Sequence, residues 1–136
     1  MSQLSLGERT LTELDHVRLT GLLRRAPAAT GSPLDDWLDG ADLVPSREVA
    51  PDIVTMYSQV LLADALTGAR RRLTLVYPAD AEPEAGFVSV LSPVGAALLG
   101  RRVGTSATWV TPDGRRHAAE IVAVLFQPEA SGDYTT

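Results

Sequence analysis

Ser89-Val90-Leu91-Ser92-Pro93-Val94-Gly95-Ala96-Ala97-Leu98-Leu99-Gly100 is the stretch on which the fold of this chain turns. From Phe87 to Leu91 the residues alternate as they do in a strand with one face buried. Ser92 then offers a side-chain acceptor for a helix N-cap, and Pro93 suits the first helical position. Val94 to Leu99 reads as a short helix without a single charge, closed by Gly100. A strand that turns directly into a short apolar helix needs a sheet for that helix to lie on.

The flanks supply the sheet. Downstream, Ser106–Thr111 and Arg115–Phe126 predict a hairpin across Pro112-Asp113-Gly114. Ile121 to Phe126 is apolar on both faces, so that strand is expected to be central. Upstream, Ile53 to Ala63 predicts a strand and Ala65 to Gly68 a turn. Arg70 to Tyr77 predicts the next strand, with Arg71, Leu73, Leu75 and Tyr77 on one side. Pro78 to Gly86 is an acidic, proline-containing loop, and Pro45 and Pro51 bracket a linker.

Ahead of the linker the period is helical. Residues 11–26 predict a helix with Leu11, Leu14, Leu19 and Leu22 as its apolar side, a Thr10/Glu13 capping box, and Pro27 as its stop. After a turn at Ala28 to Gly31, Ser32-Pro33 opens a second helix. Its Leu34, Trp37, Leu38 and Ala41 fall at i, i+3, i+4 and i+7. The fold class is therefore α+β. An antiparallel helical hairpin, a short coiled coil, occupies residues 1–46, and a small, mostly antiparallel sheet carrying one helix occupies 47–136.

Composition narrows the function. The 136 residues are 45% hydrophobic, with no cysteine, a net charge of −5 and 12 basic residues, every one an arginine. The absence of cysteine excludes disulfides and thiolate metal sites. No apolar run reaches the ~20 residues of a membrane span, and Met1 to Thr10 lacks the signal-peptide pattern, so a cytoplasmic location is expected. Between Asp35 and Asp52 six acids meet one base, Arg47. Duplex binding depends on phosphate neutralisation, so direct DNA recognition is not expected, whereas a protein partner with a basic surface is.

The Ser89–Gly100 segment followed by Val103-Gly104 resembles the C-terminal signature of the GreA/GreB transcription factor superfamily. Asp52-Ile53-Val54-Thr55-Met56-Tyr57-Ser58, Leu73-Thr74-Leu75-Val76-Tyr77-Pro78-Ala79 and the tail Gln127 to Tyr134 are similar to its short-armed branch, the regulators of nucleoside diphosphate kinase. The resemblance covers about residues 51–134; Leu14-Asp15 adds a weaker match. It implies an FKBP-like C-terminal domain without isomerase activity, and docking at the secondary channel of bacterial RNA polymerase in competition with Gre factors. It implies a regulator without cofactor or catalysis, whose polymerase contacts are Leu91, Ser92 and Pro93; the oligomeric state stays open, with a monomer favoured. Gre factors carry two acidic residues at the coil tip that hold a metal ion and stimulate transcript cleavage.

Asp35 and Asp36 are this chain's candidates for such a tip, since Mg²⁺ accepts a few carboxylates plus water. With Asp39 and Asp42 they also form the polar face opposite the Leu34/Trp37 stripe, in a first helical turn that favours acids. A solvated helix face accounts for all four. A 16-residue first helix is only about 24 Å long, too short for a tip to reach far into a channel. Leu91, Ser92 and Pro93 have an ordinary role in starting a helix, compatible with contact. Arg70, Arg71 and Arg72 alternate faces and suit a solvated edge strand. His16 and His117 lack ligand spacing. Trp37 and Trp109 suit the core. No phosphate loop, nucleophile elbow or dinucleotide fingerprint occurs.

Overall fold

The computed structural model describes residues 9–25 and 33–132. Strand β1 (Thr10–Thr12) leads into helix α1 (Glu13–Arg25), and helix α2 (Pro33–Trp37) runs into a 3₁₀ turn at Leu38–Gly40 before strand β2 (Asp42–Val44). The expected helix–helix turn at 28–31 and the Ser32 cap lie outside the described residues. β1 and β2 pair in parallel, Thr10 opposite Asp42 and Thr12 opposite Val44. Thr10 is therefore not the cap of α1. Its N–H donates to Gly100 O at 3.0 Å, and Thr12 Oγ1 instead accepts the Asp15 N–H at 3.0 Å, one orphan donor of the first turn satisfied. The second helix is also shorter than its four-residue stripe predicts, because after Trp37 the chain tightens to 3₁₀ and turns at Gly40 into β2.

The sheet follows: β3 (Gln59–Asp64), β4 (Arg70–Val76), β5 (Phe87–Ser89), then helix α3 (Pro93–Leu98), β6 (Ser106–Val110) and β7 (Arg116–Phe126). Its order is β5-β4-β3-β7-β6, antiparallel except for the parallel β4–β5 pair. Local turn chemistry behaves as read. Asp64 Oδ1 accepts the Leu66 and Thr67 N–H groups at 2.8 and 3.0 Å, and Asp113 Oδ1 accepts the Arg115 N–H at 3.1 Å.

Three expectations change. Residues 53–58 are not strand. Ile53 makes one isolated bridge to Arg102, and a Thr55–Ser58 turn with Tyr57 at φ 66° postpones β3 to Gln59. Thr55 Oγ1 donates to Glu129 Oε1 at 2.8 Å and the Thr55 N–H to Ser58 Oγ at 2.9 Å; those bonds replace the ladder. The middle strand is β3, with β7 interior beside it. The doubly apolar end of β7 is not doubly covered either, since Leu125 and Phe126 are 45% and 48% exposed. Finally, β4 is not an edge strand. β5 pairs with its Thr74–Val76 end, which leaves only exposed Arg70–Arg72 open on that side.

One continuous core joins everything. Leu11, Leu19, Leu34 and Leu38 belong to the same buried cluster as Val54, Met56, Val60, Leu75, Leu98, Leu99 and Ile121. At roughly 2 kcal/mol per buried aliphatic side chain, those four residues bind the N-terminal elements firmly to the sheet. Arg9, 7% exposed, donates from Nη1 to Ala96 O at 2.8 Å and Leu99 O at 3.0 Å. It thereby satisfies carbonyls at the C-terminal end of α3, where a cation also suits the helix dipole.

Candidate functional site

The turn from β5 into α3 is held by short, local bonds. Ser89 Oγ accepts the Leu91 N–H at 3.0 Å. Ser92 Oγ donates to Ser89 O at 2.6 Å and accepts the Gly95 N–H at 3.1 Å, which makes it the N-cap that the Ser-Pro pair predicts. Ser89 O also accepts the Ser92 N–H at 3.0 Å. Val90, in turn, is fully buried and donates to Val76 O at 2.9 Å, fixing the turn to β4. Leu91, Ser92 and Pro93 are all half-buried, so each presents part of its side chain to solvent on a rigid support. The chemistry available there is apolar and neutral contact. Among the described residues no group of three His, Asp or Glu could hold a metal ion.

Gly95 makes this turn possible. A Cβ there would lie 2.1 Å from Ser89 O and 3.0 Å from Val90 Cα, so only glycine lets the first turn of α3 sit on the end of β5. The sequence shows Gly95 as an unfavourable residue inside a helix, and that cost was its signal.

α2 lies beside the same helix. Trp37 Nε1 donates to Ala96 O at 3.2 Å, and the Arg9 guanidinium stacks on the Trp37 ring 4.1 Å from its centroid. Asp35, exposed in the first turn of α2, is thus two residues from a side chain bound to α3. It faces a groove shared with Thr20, Leu23 and Arg24 of α1; the side chain of Asp36 lies outside the described residues. Trp109 is half-buried and stacks on His117, with centroids 5.6 Å apart.

A second constellation escaped the reading of the sequence. Asp15, 1% exposed, accepts the Met56 N–H at 3.2 Å through Oδ2. Burial, and secondarily the charge of Glu129, push its carboxyl up to about 7, against the opposing Met56 and Thr12 hydrogen bonds and Arg18. Asp15 and Leu19, four apart, are the buried residues of α1, so Asp15 stands on the inward face of that helix. That placement was legible. Gln127 Nε2, donating to Ala50 O and Ile53 O at 2.8 Å each, locks the tail against the same region.

Comparison with known proteins supports one lineage. Residues 49–126 match the family model for the C-terminal domain of the transcription elongation factors GreA/GreB. The regulator of nucleoside diphosphate kinase of Escherichia coli K12 is 41% identical over 128 residues, 91% of this chain and 93% of that protein. GreA of Azorhizobium caulinodans is 36% identical over 93 residues, 68% of this chain but 59% of that factor. A solved GreA/GreB elongation factor from Nitrosomonas europaea superposes with a TM-score of 0.71 at 33% identity, covering 88% of this chain and 98% of that one. The GreA factor homolog 1 of Thermus thermophilus gives a TM-score of 0.50 at 26% identity.

Proposed function

The chain belongs to the GreA/GreB transcription elongation factor family, and from that footing we propose that it is a regulator without catalytic activity that binds bacterial RNA polymerase at its secondary channel and competes there with Gre factors. The observation that carries the reading is the β5–α3 turn. Leu91, Ser92 and Pro93 are partly exposed on a turn that Ser92, Ser89 and Gly95 hold in one geometry. A preorganised apolar turn loses little entropy on docking. The sheet with α3 is the FKBP-like docking part, and the N-terminal segment that the sequence reads as a hairpin arm stays close to it, because Trp37 fastens α2 to α3. The protein acts as a cytoplasmic monomer with no cofactor; no described helix is long and apolar enough to cross a membrane. Labelled Gre factor bound to core polymerase should be displaced by the full chain, and at least tenfold less effectively by Leu91→Ala. Gre factor that stays bound at saturating amounts of this protein would end the reading.

A second reading rests on exposed Asp35 and its neighbour Asp36 as a metal-holding tip that stimulates transcript cleavage. Arm length counts against it: the 13 residues of α1 span roughly 20 Å. A backtracked complex should therefore show no added cleavage with this protein. Cleavage that disappears in Asp35→Asn/Asp36→Asn would reverse the ranking.

A further inference from the structure

The two edges of the sheet are not alike. β5 has three residues, and the isolated bridge from Glu82 to Phe87 together with the acidic turn around it covers its outer side. β6 has five residues, Ser106-Ala107-Thr108-Trp109-Val110, and carries no charge and no proline. Thr111 donates to Arg115 O and Ile121 to Thr105 O, both at 3.0 Å. The odd-numbered residues of this segment therefore bond to β7. Ser106, Thr108 and Val110 turn their N–H and C=O groups outward, and no described strand pairs with them. Exposed strand edges are normally guarded by charge, proline or brevity; β6 has none of the three.

A groove lies against this edge. Pro93, Trp37, Ala97, Trp109 and Val110 line it, and Arg9 lines it too. Val110 is 52% exposed. Arg9 is a buried cation whose bonds go to carbonyl oxygens and whose stacking partner is Trp37; its Nε has no hydrogen-bond partner. Among the described residues no carboxylate forms an ion pair with it. Desolvation holds its guanidinium at about 9, below the usual arginine range.

We propose that β6 is the site where an extended segment of RNA polymerase adds as a sixth strand, placing an apolar side chain between Pro93 and Trp109 and an acidic one toward Arg9. The proposal rests on the polymerase reading above and extends it. The groove is continuous with Pro93 of the docking turn, so one partner can cover both. Main-chain bonds to Thr108 and Val110 would supply affinity, and the groove specificity. A second copy pairing β6 with β6 would bring only the uncharged Ser106–Val110 and leave Arg9 without an anion.

Thr108→Pro is the sharp test, because it deletes an outward N–H and spares the β6–β7 ladder. Val110→Glu is the companion, an exposed site where added charge repels an acidic segment without disturbing the core. Full-length wild type, both variants and Thr108→Val are titrated against core RNA polymerase, with amide hydrogen exchange read at residues 106–110. The expected result is a loss of at least tenfold in affinity for Thr108→Pro and Val110→Glu and none for Thr108→Val. Free Thr108 and Val110 amides exchange fast and become protected in the complex. Polymerase binding that is the same for all four proteins, with exchange unchanged, overturns the edge proposal and leaves the polymerase reading standing. Absence of binding by wild type overturns both. A dimer in sedimentation equilibrium that Thr108→Pro dissociates gives the edge to a second copy and also overturns it.

Discussion

Gly95→Ala will lower the melting temperature by roughly 10 °C and impair the proposed polymerase docking, the largest loss expected from adding a single methyl group to this protein. Two effects oppose each other at this position. Alanine is the better helix former, by about 1 kcal/mol. Against that, the new Cβ would stand 2.1 Å from Ser89 O and 2.9 Å from Ser89 C. Those are backbone atoms that cannot rotate away. Ser89 O already accepts from the Ser92 N–H and hydroxyl, and Val90 behind it is tied to Val76. Overpacking in such a place costs about 3 kcal/mol or more, so the clash outweighs the propensity. Relief must come from lifting α3 off β5, which moves Leu91, Ser92 and Pro93 together. Calorimetry and a polymerase titration read the two consequences. A variant that melts with wild type would show that the close approach is not required.

The elements read correctly from the sequence are those whose causes are local. Ser92-Pro93 starts α3 because a hydroxyl and a fixed φ act within one turn. The β6–β7 hairpin forms at Pro112-Asp113-Gly114, where Asp113 Oδ1 meets the Arg115 N–H two residues on. What was missed depends on distant partners. Thr10 and Thr12 both satisfy an N-cap pattern with an acid three residues later, and only the Gly100 carbonyl, ninety residues away, removes Thr10 from contention. β1 has three residues and exists only by pairing with β2 across an entire helical segment. The Asp52–Ser58 segment has the composition of a strand, yet Glu129 near the tail and Leu75 on β4 take its hydrogen bonds and bend it into a turn. For the site, Leu91, Ser92 and Pro93 come together on one support as a contiguous motif must. Asp35 faces a groove with Thr20, Leu23 and Arg24 of α1 while Trp37 fastens α2 to α3, an arrangement that sequence spacing does not encode.

Asp15→Asn will make the protein more stable above neutral pH and flatten the pH dependence of its unfolding. Asp15 is buried on the inward face of α1 with its carboxyl pushed up to about 7, chiefly by desolvation and then by Glu129. In the unfolded chain the same group titrates near 3.8. The folded state thus holds this proton more tightly than the unfolded state does. The stabilisation from the proton is complete below about pH 4 and is lost as pH rises through about 7. Above that, folding must keep an ionised carboxylate out of water, at a cost of up to roughly 4 kcal/mol for a shift of this size. Asparagine is nearly isosteric, and its Oδ1 can still accept the Met56 N–H that Asp15 accepts at 3.2 Å. It never ionises, so this pH-dependent loss vanishes. Near pH 5 the two proteins should melt within a few degrees of each other. At pH 8 the variant should melt higher, by roughly 5–15 °C on the same scale. Melting curves at half-unit steps from pH 5 to 8.5 check both parts. Parallel curves for the two proteins would mean that Asp15 stays ionised in the fold and that Arg18, rather than burial, sets its charge state.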